Sequence, residues 1–404
     1  MTELRDILER VGDRVPMPEP AFDRILRRRD RRRRTQRLSA GVLGLILTAA
    51  LIVGLTHLNS GRSRMPVTAP TVPTNGWIVY SGGVYGDGNG GDIYITREGV
   101  EPRRIVGSDG DRTAQYCPEF SPDGSMLAYS EATPPFAAGA DLAIVVTAIA
   151  PSGAPIGQEQ RIQIPPLEEP DLLCAEWAPD SRRLAYSASG VWVASLEGGP
   201  ARRISDESQG FAWSPDGSAI ALSRGDGGVQ VVSADDGELL SFAGGSPGGS
   251  LTWSPDGDQI AMGRGGEWGR NPGIVVIDAR DGAVHALETG DPPIGGSPAW
   301  SPDGTQIAFV HDGRVVLTDP DTGGVVILPR VRVEDASGPI TGITSVEWSP
   351  DGQWLLGLAG TGTGAFAVIA APADGTASWI LMSPLPYGGP FTTAADPDWQ
   401  EVHA

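Results

Sequence analysis

The chain has 404 residues, 40% of them hydrophobic, with 56 Gly, 35 Pro and 2 Cys; that apolar content excludes a disordered chain, and so much Gly and Pro argues for short buried strands and tight turns over a helical bundle. The formal charge is −20, from 50 acidic residues against 30 basic ones, all of them Arg. Residues 1–38 hold 12 Arg and 7 acids, leaving 18 Arg and 43 acids beyond them, and a body so acidic repels phosphate backbones, which argues against nucleic-acid partners.

In residues 1–38, Leu4, Ile7, Leu8 and Val11 recur at helical spacing, and Phe22, Ile25 and Leu26 follow a Pro-rich break. Two short helices are predicted there, too small for an independent core. The layout is similar to membrane-anchored regulators that bind a sigma factor inside the cell, although the zinc-type His/Cys motif of many such proteins is absent. A cytoplasmic regulator partner is one reading of this segment, and an electrostatic anchor on the inner leaflet is the other.

Residues 39–58 contain the uncharged run AGVLGLILTAALIVGLTHL, as long as a helix needs to cross a bilayer core. The Arg cluster between Arg24 and Arg37 keeps its side of such a helix in the cytoplasm by the positive-inside rule. A cleaved signal peptide is the competing reading, but the run is long for one and no small-x-small site closes it. The sequence thus predicts one transmembrane helix at residues 39–58, localisation to the cell membrane with a cytoplasmic N-terminus, and an extracytoplasmic body. Residues 59–75, rich in Pro, Ser and Thr without apolar periodicity, read as a tether.

Residues 76–404 repeat. An aromatic followed by Ser-Pro-Asp-Gly occurs at Phe120, Trp213, Trp253, Trp300 and Trp348, with Ala-Pro-Asp-Ser after Trp177 and a degenerate Asp396-Pro397-Asp398-Trp399 at the end. The anchors lie 57, 36, 40, 47, 48 and 51 residues apart, the scale of a four-stranded propeller blade. A short apolar strand follows each, such as Leu127-Ala128-Tyr129 or Ile307-Ala308-Phe309. The strand matching Trp399 is Trp77-Ile78-Val79-Tyr80, at the domain's other end. Pairing these two ends closes the ring and removes its free edges. Third strands follow, and fourth strands such as Arg202-Arg203-Ile204 and Val284-His285-Ala286 are expected to be polar, so that charge blocks further pairing. In each motif Pro ends a strand, Asp bonds nearby amides and Gly accepts positive φ, while the aromatic wedges between sheets.

These repeats resemble the TolB-type, WD-like β-propellers over about residues 76 to 400. The predicted fold is therefore all-β: seven four-stranded blades closed by the C-terminal strand. Six is the alternative, since TolB-like propellers are typically six-bladed, and the long unit containing residues 138–166 is where irregular structure is expected. Propellers of this kind imply a binding module, here for an extracytoplasmic protein, peptide or glycan; a signalling regulator is the alternative, and a propeller hydrolase or lyase a third.

Catalytic signals are weak. Gly244-Gly-Ser246-Pro-Gly248 fits the hydrolase G-x-S-x-G pattern but lies in a Gly-rich link with no helix after it. His57, His285, His311 and His403 are scattered, so no His-based site or zinc cluster is expected. The loop from Asp87 to Asp92 spaces oxygen donors that suit Ca²⁺ but lacks the later Glu of an EF-hand; a glycine-rich hairpin is preferred. No cofactor, metal or catalysis is predicted. Cys117 and Cys174 each lie three residues before an anchor, equivalent places on adjacent inner strands, and are candidates for a disulfide; two buried thiols are the alternative. Glu119, Glu176, Glu347 and Asp398 stand immediately before their anchors. By strand alternation they oppose the aromatics and can line one mouth of the channel, where they would bind a cation or a basic peptide, or be solvated or paired with Arg.

Overall fold

In a computed structural model of the protein, residues 76–400 are described apart from 83–90, 98–99, 108–112, 134–138, 165–173, 207–209, 226–227, 245–247, 265–272, 288–296, 332–333, 336–337, 362–365, 376–378 and 385–397. The expected cytoplasmic helices, the span at residues 39–58 and the tether lie outside the described residues. Among the described residues no helix is long and apolar enough to cross a membrane.

The strands form seven antiparallel sheets. Blade 1 runs outward through Ala114–Phe120, Met126–Thr133, Asp141–Ile149 and Pro155–Ile164, and blade 2 through Ala175–Trp177, Arg183–Ser187, Val191–Ser195 and Arg202–Ser205. Blade 3 comprises Gly210–Trp213, Ala219–Ser223, Val229–Ser233 and Leu239–Ala243; blade 4, Gly248–Trp253, Gln259–Arg264, Gly273–Asp278 and Val284–Ala286. Blade 5 comprises Ala299–Trp300, Ile307–His311, Arg314–Thr318 and Val325–Ile327. In blade 6, Gly338–Trp348, Trp354–Thr361, Phe366–Pro372 and Ile380–Pro384 are joined by a fifth short strand, Glu334–Asp335. Blade 7 unites the two ends: Asp398–Trp399 pairs with Ile78–Gly82, followed by Asp92–Arg97 and Val100–Val106. The count is seven. In the long unit around residues 138–166, the described residues 139–164 run mostly through two long strands, Asp141–Ile149 and Pro155–Ile164.

Closure of blade 7 rests on Gln400. Its backbone N–H donates to the Trp77 carbonyl at 2.8 Å, its Oε1 accepts the Trp77 N–H at 3.2 Å, and its Nε2 donates to the Gly124 carbonyl at 2.7 Å. One side chain thus ties the chain's two ends to each other and to blade 1.

The core has no single centre. Seven apolar clusters each draw on two consecutive blades, as where Trp177 and Leu184 meet Tyr116 and Ile144, or Trp300 and Phe309 meet Ala261 and Val276. Strands with apolar residues on both faces explain this, because each sheet is buried against a neighbour on either side. Stability is correspondingly a sum of nearest-neighbour terms.

Each Ser-Pro-Asp-Gly turn is fastened through its Ser. Ser254 Oγ donates to Asp256 Oδ1 at 2.8 Å and accepts the Gln259 N–H at 2.9 Å, and Ser121, Ser214, Ser301 and Ser349 repeat both bonds. The turn glycines take φ near 70°, as at Gly257 (71°), which a side chain resists. Blade 2 places Ser181 at this position with φ 56°, and its Oγ accepts the Asp123 N–H at 3.0 Å. The strained residue is thereby bonded to blade 1.

Candidate ligand-binding channel

The first strand of every blade brings the residue before its anchor aromatic to a common ring. In blade order these are Glu119, Glu176, Ala212, Thr252, Ala299, Glu347 and Asp398. Their positions are fixed from behind by the aromatics. Trp177 Nε1 donates to the Glu119 carbonyl at 3.1 Å, Trp213 to that of Glu176 at 3.2 Å, Trp253 to that of Ala212 at 3.0 Å and Trp348 to that of Ala299 at 3.0 Å. These four indoles lock the ring residue of the preceding blade, a role the sequence reading, which saw a wedge, did not assign, while the indole N–H groups of Trp300 and Trp399 are buried without a partner among the described residues. Most buried N–H groups find an acceptor, and the recurring spacing of Trp one residue after the ring position was the signal available.

The ring opens on a cavity of about 460 Å³ lined by Glu176, Thr252, Ala299, Glu347 and Asp398 among others but not by Glu119, with no Arg, His or Cys among its described lining residues. The ring's four acids are half-buried and fall on consecutive blades, 6, 7, 1 and 2; blades 3, 4 and 5 contribute Ala212, Thr252 and Ala299 in their place. One half of the mouth is acidic and the other uncharged.

Two of the acids brace the ring. Asp398 Oδ2 accepts the Phe120 N–H at 2.6 Å and Glu119 Oε1 accepts the Trp177 N–H at 3.2 Å, each reaching the anchor of the next blade. Burial first, then the charges of Asp398 and Glu176, raise the Glu119 carboxyl well above the ordinary value, with Glu347 adding to the rise and the Trp177 N–H opposing it. Burial pushes Glu176 up to about 8. Desolvation and like charge both favour the protonated forms, so near neutral pH the mouth carries protons that a bound cation would displace. Guanidinium and ammonium groups are the ligands that such carboxyls take.

A disulfide joins Cys117 to Cys174, with Cα atoms 5.4 Å apart, crossing from blade 1 to the start of blade 2 beside Glu119 and Glu176. Cys117 has φ 49°, at a register shift between Tyr116 and Glu119.

The remaining candidates stay apart. Ser246, His57, His403 and most of the loop before Asp92 lie outside the described residues. Asp92 itself pairs with Arg104 at 3.2 Å. His311 ends a strand of blade 5, and His285 stands exposed on the outer strand of blade 4. Among the described residues no group of His, Cys, Asp and Glu is placed to hold a metal ion. The turn aspartates serve their turns: the Ser218 N–H and the hydroxyls of Ser214 and Ser218 hold Asp216 below the usual carboxylate range.

Fold and site define a closed seven-bladed β-propeller with a half-acidic channel mouth. Residues 334–365, within blade 6, match the WD domain, G-beta repeat family. Among solved structures, the chain is similar to TolB from Acinetobacter baumannii, with 18% identity, a TM-score of 0.47 and coverage of 80% of this chain. It spans 66% of that TolB chain. A chain of a mitotic checkpoint complex shows 17% identity and a TM-score of 0.48, covering 74% of this chain and 93% of its own. One of the Kuenenia stuttgartiensis hydrazine synthase shows 18% and 0.46, covering 62% and 75%. No curated protein sequence matches the chain.

Proposed function

We propose that the protein is a membrane-anchored, extracytoplasmic binding module, without catalysis, that takes a cationic segment of a protein or peptide at the acidic half of its channel mouth. The observation that carries this reading is the row Glu347, Asp398, Glu119 and Glu176 on four consecutive blades, three of which, Glu347, Asp398 and Glu176, line a cavity with no basic residue among its described lining. A charged or aminated ligand suits this wall better than a neutral glycan does. Support for the location comes from the uncharged run in residues 39–58 behind its Arg cluster and from the Cys117–Cys174 disulfide, which suits an oxidising compartment. Support for the absence of catalysis comes from Glu119 and Asp398, whose carboxyls are engaged on backbone N–H groups of neighbouring anchors.

The test is calorimetric titration of the full-length protein with an arginine-rich peptide. Because the cation displaces protons from Glu176, affinity should strengthen from about pH 6 to about pH 9, with proton release visible in buffers of different ionisation heat. Glu347→Gln should weaken binding about tenfold at low salt. Affinity that ignores both pH and this substitution would remove the channel from the binding site.

A further inference from the structure

The outer rim carries a second asymmetry. Large apolar side chains exposed at the surface are concentrated on the outermost strands of three consecutive blades: Leu239, Leu240 and Phe242 on blade 3, Val284 on blade 4, and Val325, Val326 and Ile327 on blade 5. None of these strands contains a charged residue. The outer strands of blades 7, 1 and 2 instead carry Glu101, Arg103 and Arg104; Glu159 and Arg161; and Arg202 and Arg203. This corrects the expectation of polar fourth strands: the charges that block an edge from pairing are present on blades 7, 1 and 2 and missing from these three edges, and also from Ile380–Pro384 on blade 6.

The longest of the three uncharged edges is Leu239–Ala243, with Leu239 and Leu240 54% exposed and Phe242 50%. Val231 faces Ser241 and Val232 faces Leu239, so Leu240 is the extra residue of a bulge, and Leu240 and Phe242, two residues apart, share one face. It closes its sheet, with no described strand beyond it. The turn that feeds it holds Asp235, Asp236 and Glu238, all exposed. Arg183 approaches Asp235 at 3.6 Å, Arg202 donates to the Asp235 carbonyl and its charge reaches Asp236, and the Asp236 carboxylate caps the Glu238 N–H at 3.1 Å; three acids against two arginines leave the turn net acidic by one charge. Three occupants could cover such an edge. A bilayer would bury unpaired backbone groups in hydrocarbon, where nothing satisfies them. A second copy would bring together two bodies each carrying 43 acids against 18 Arg after residue 38, which repel.

We infer that the outer edge of blade 3 at Leu239–Ala243 is a strand-addition site for an extended, apolar peptide segment with a basic residue at the end beside the Asp236 and Glu238 turn. The backbone of the edge supplies the hydrogen bonds, Leu239, Leu240 and Phe242 cover alternate side chains, and the turn selects the cation. This site lies on the rim and is independent of the channel reading.

The probe is a synthetic peptide of alternating Val and Thr headed by arginines, titrated into the full-length protein by fluorescence anisotropy. Hydrogen exchange should show protection confined to residues 239–243. N-methylation of alternate peptide amides should weaken binding by about tenfold or more, since each net hydrogen bond contributes about 1 kcal/mol. Replacing the arginines by glutamates should cost about fivefold at low salt and less at high salt. Leu240→Lys should cost about tenfold by charging the edge, while Val326→Lys on blade 5 should leave binding unchanged. Equal binding of the N-methylated peptide, or indifference to Leu240→Lys, overturns the proposal. So does a doubled mass in light scattering that Leu240→Lys abolishes, which would assign the edge to a second copy, or co-sedimentation with phosphatidylcholine vesicles that the same variant abolishes.

Discussion

Glu176→Gln isolates the cost of holding a carboxylate in the channel wall. Burial raises this group to about 8 from the ordinary 4.5 of a glutamate, so the folded protein keeps a proton that the unfolded chain has already lost. Between these two values the folded state binds more protons than the unfolded state, and stability falls as pH climbs through that window. At about 1.4 kcal/mol per pH unit the full gap converts to about 5 kcal/mol. That is a ceiling, because Glu176 faces a cavity that admits water, and screening there reduces the effect to about 2–3 kcal/mol. Glutamine has nearly the shape of the protonated acid and no charge at any pH. The variant should therefore match the parent near pH 4.5 and exceed it by about 2–3 kcal/mol near pH 9. Urea unfolding followed by Trp fluorescence, at constant ionic strength across that range, measures the difference. Parallel pH profiles for parent and variant would refute the assignment of a protonated Glu176.

Three further outcomes follow from the packing. Replacing both Cys117 and Cys174 by Ser, whose bridge spans 57 residues of sequence, should lower stability by about 2–4 kcal/mol; alkylation of the unreduced parent at either thiol would contradict the bridge. Ser181→Ala keeps the unfavourable φ and loses the Asp123 bond, costing about 1–2 kcal/mol, whereas Ser181→Gly relieves the backbone and should cost less than half as much; the urea midpoints rank the two, and Gly falling below Ala would reverse the reasoning. Gln400→Ala removes the side-chain bonds to Trp77 and Gly124 and should cost about 1–2 kcal/mol, with faster amide exchange in Ile78–Gly82 as the local readout.

Much of the ring was legible because its signal repeats in phase. The spacing of anchors from Phe120 to Trp399 predicted seven blades and the pairing of the two chain ends, and both are observed in the strand order. The turns were read through Pro, Asp and Gly, but the Ser hydroxyl that bridges Asp256 and Gln259 was missed, since a serine beside a proline reads as loop chemistry until its burial is known. Fourth strands were expected to be polar, which holds at Arg202 and Arg203 but not at Val284, Val325 and Ile327, because whether a β-branched residue is covered depends on its distance from the axis, which local sequence does not encode. Burial also made the acids hard to read: Glu119 and Glu176 were visible as a spacing, but the rise of Glu176 follows from burial alone, and that of Glu119 from burial and then from Asp398 and other acids on blades far apart in sequence.

The two asymmetries overlap only at blade 6. Blades 6, 7, 1 and 2 supply the channel acids, blades 3, 4, 5 and 6 have uncharged outer strands, and the exposed apolar ones are on blades 3, 4 and 5. Structural need alone does not account for this division, because blades 1, 3, 4, 5 and 6 use the same Ser-Pro-Asp-Gly turn and every pair of neighbours shares an apolar cluster, so the ring has no preferred side. Carboxyls that resist ionisation cost stability, and bare apolar edges invite association, so each arc carries a liability of its own kind. If both are retained for binding, one partner that crosses the face from channel to rim could engage them together, and Glu347→Gln and Leu240→Lys would then act as coupled sites on its affinity. If the partners are separate, the two substitutions act additively, each on its own ligand. A double-mutant cycle with both peptides present distinguishes these cases, and the separation of channel and rim on the molecule predicts additivity.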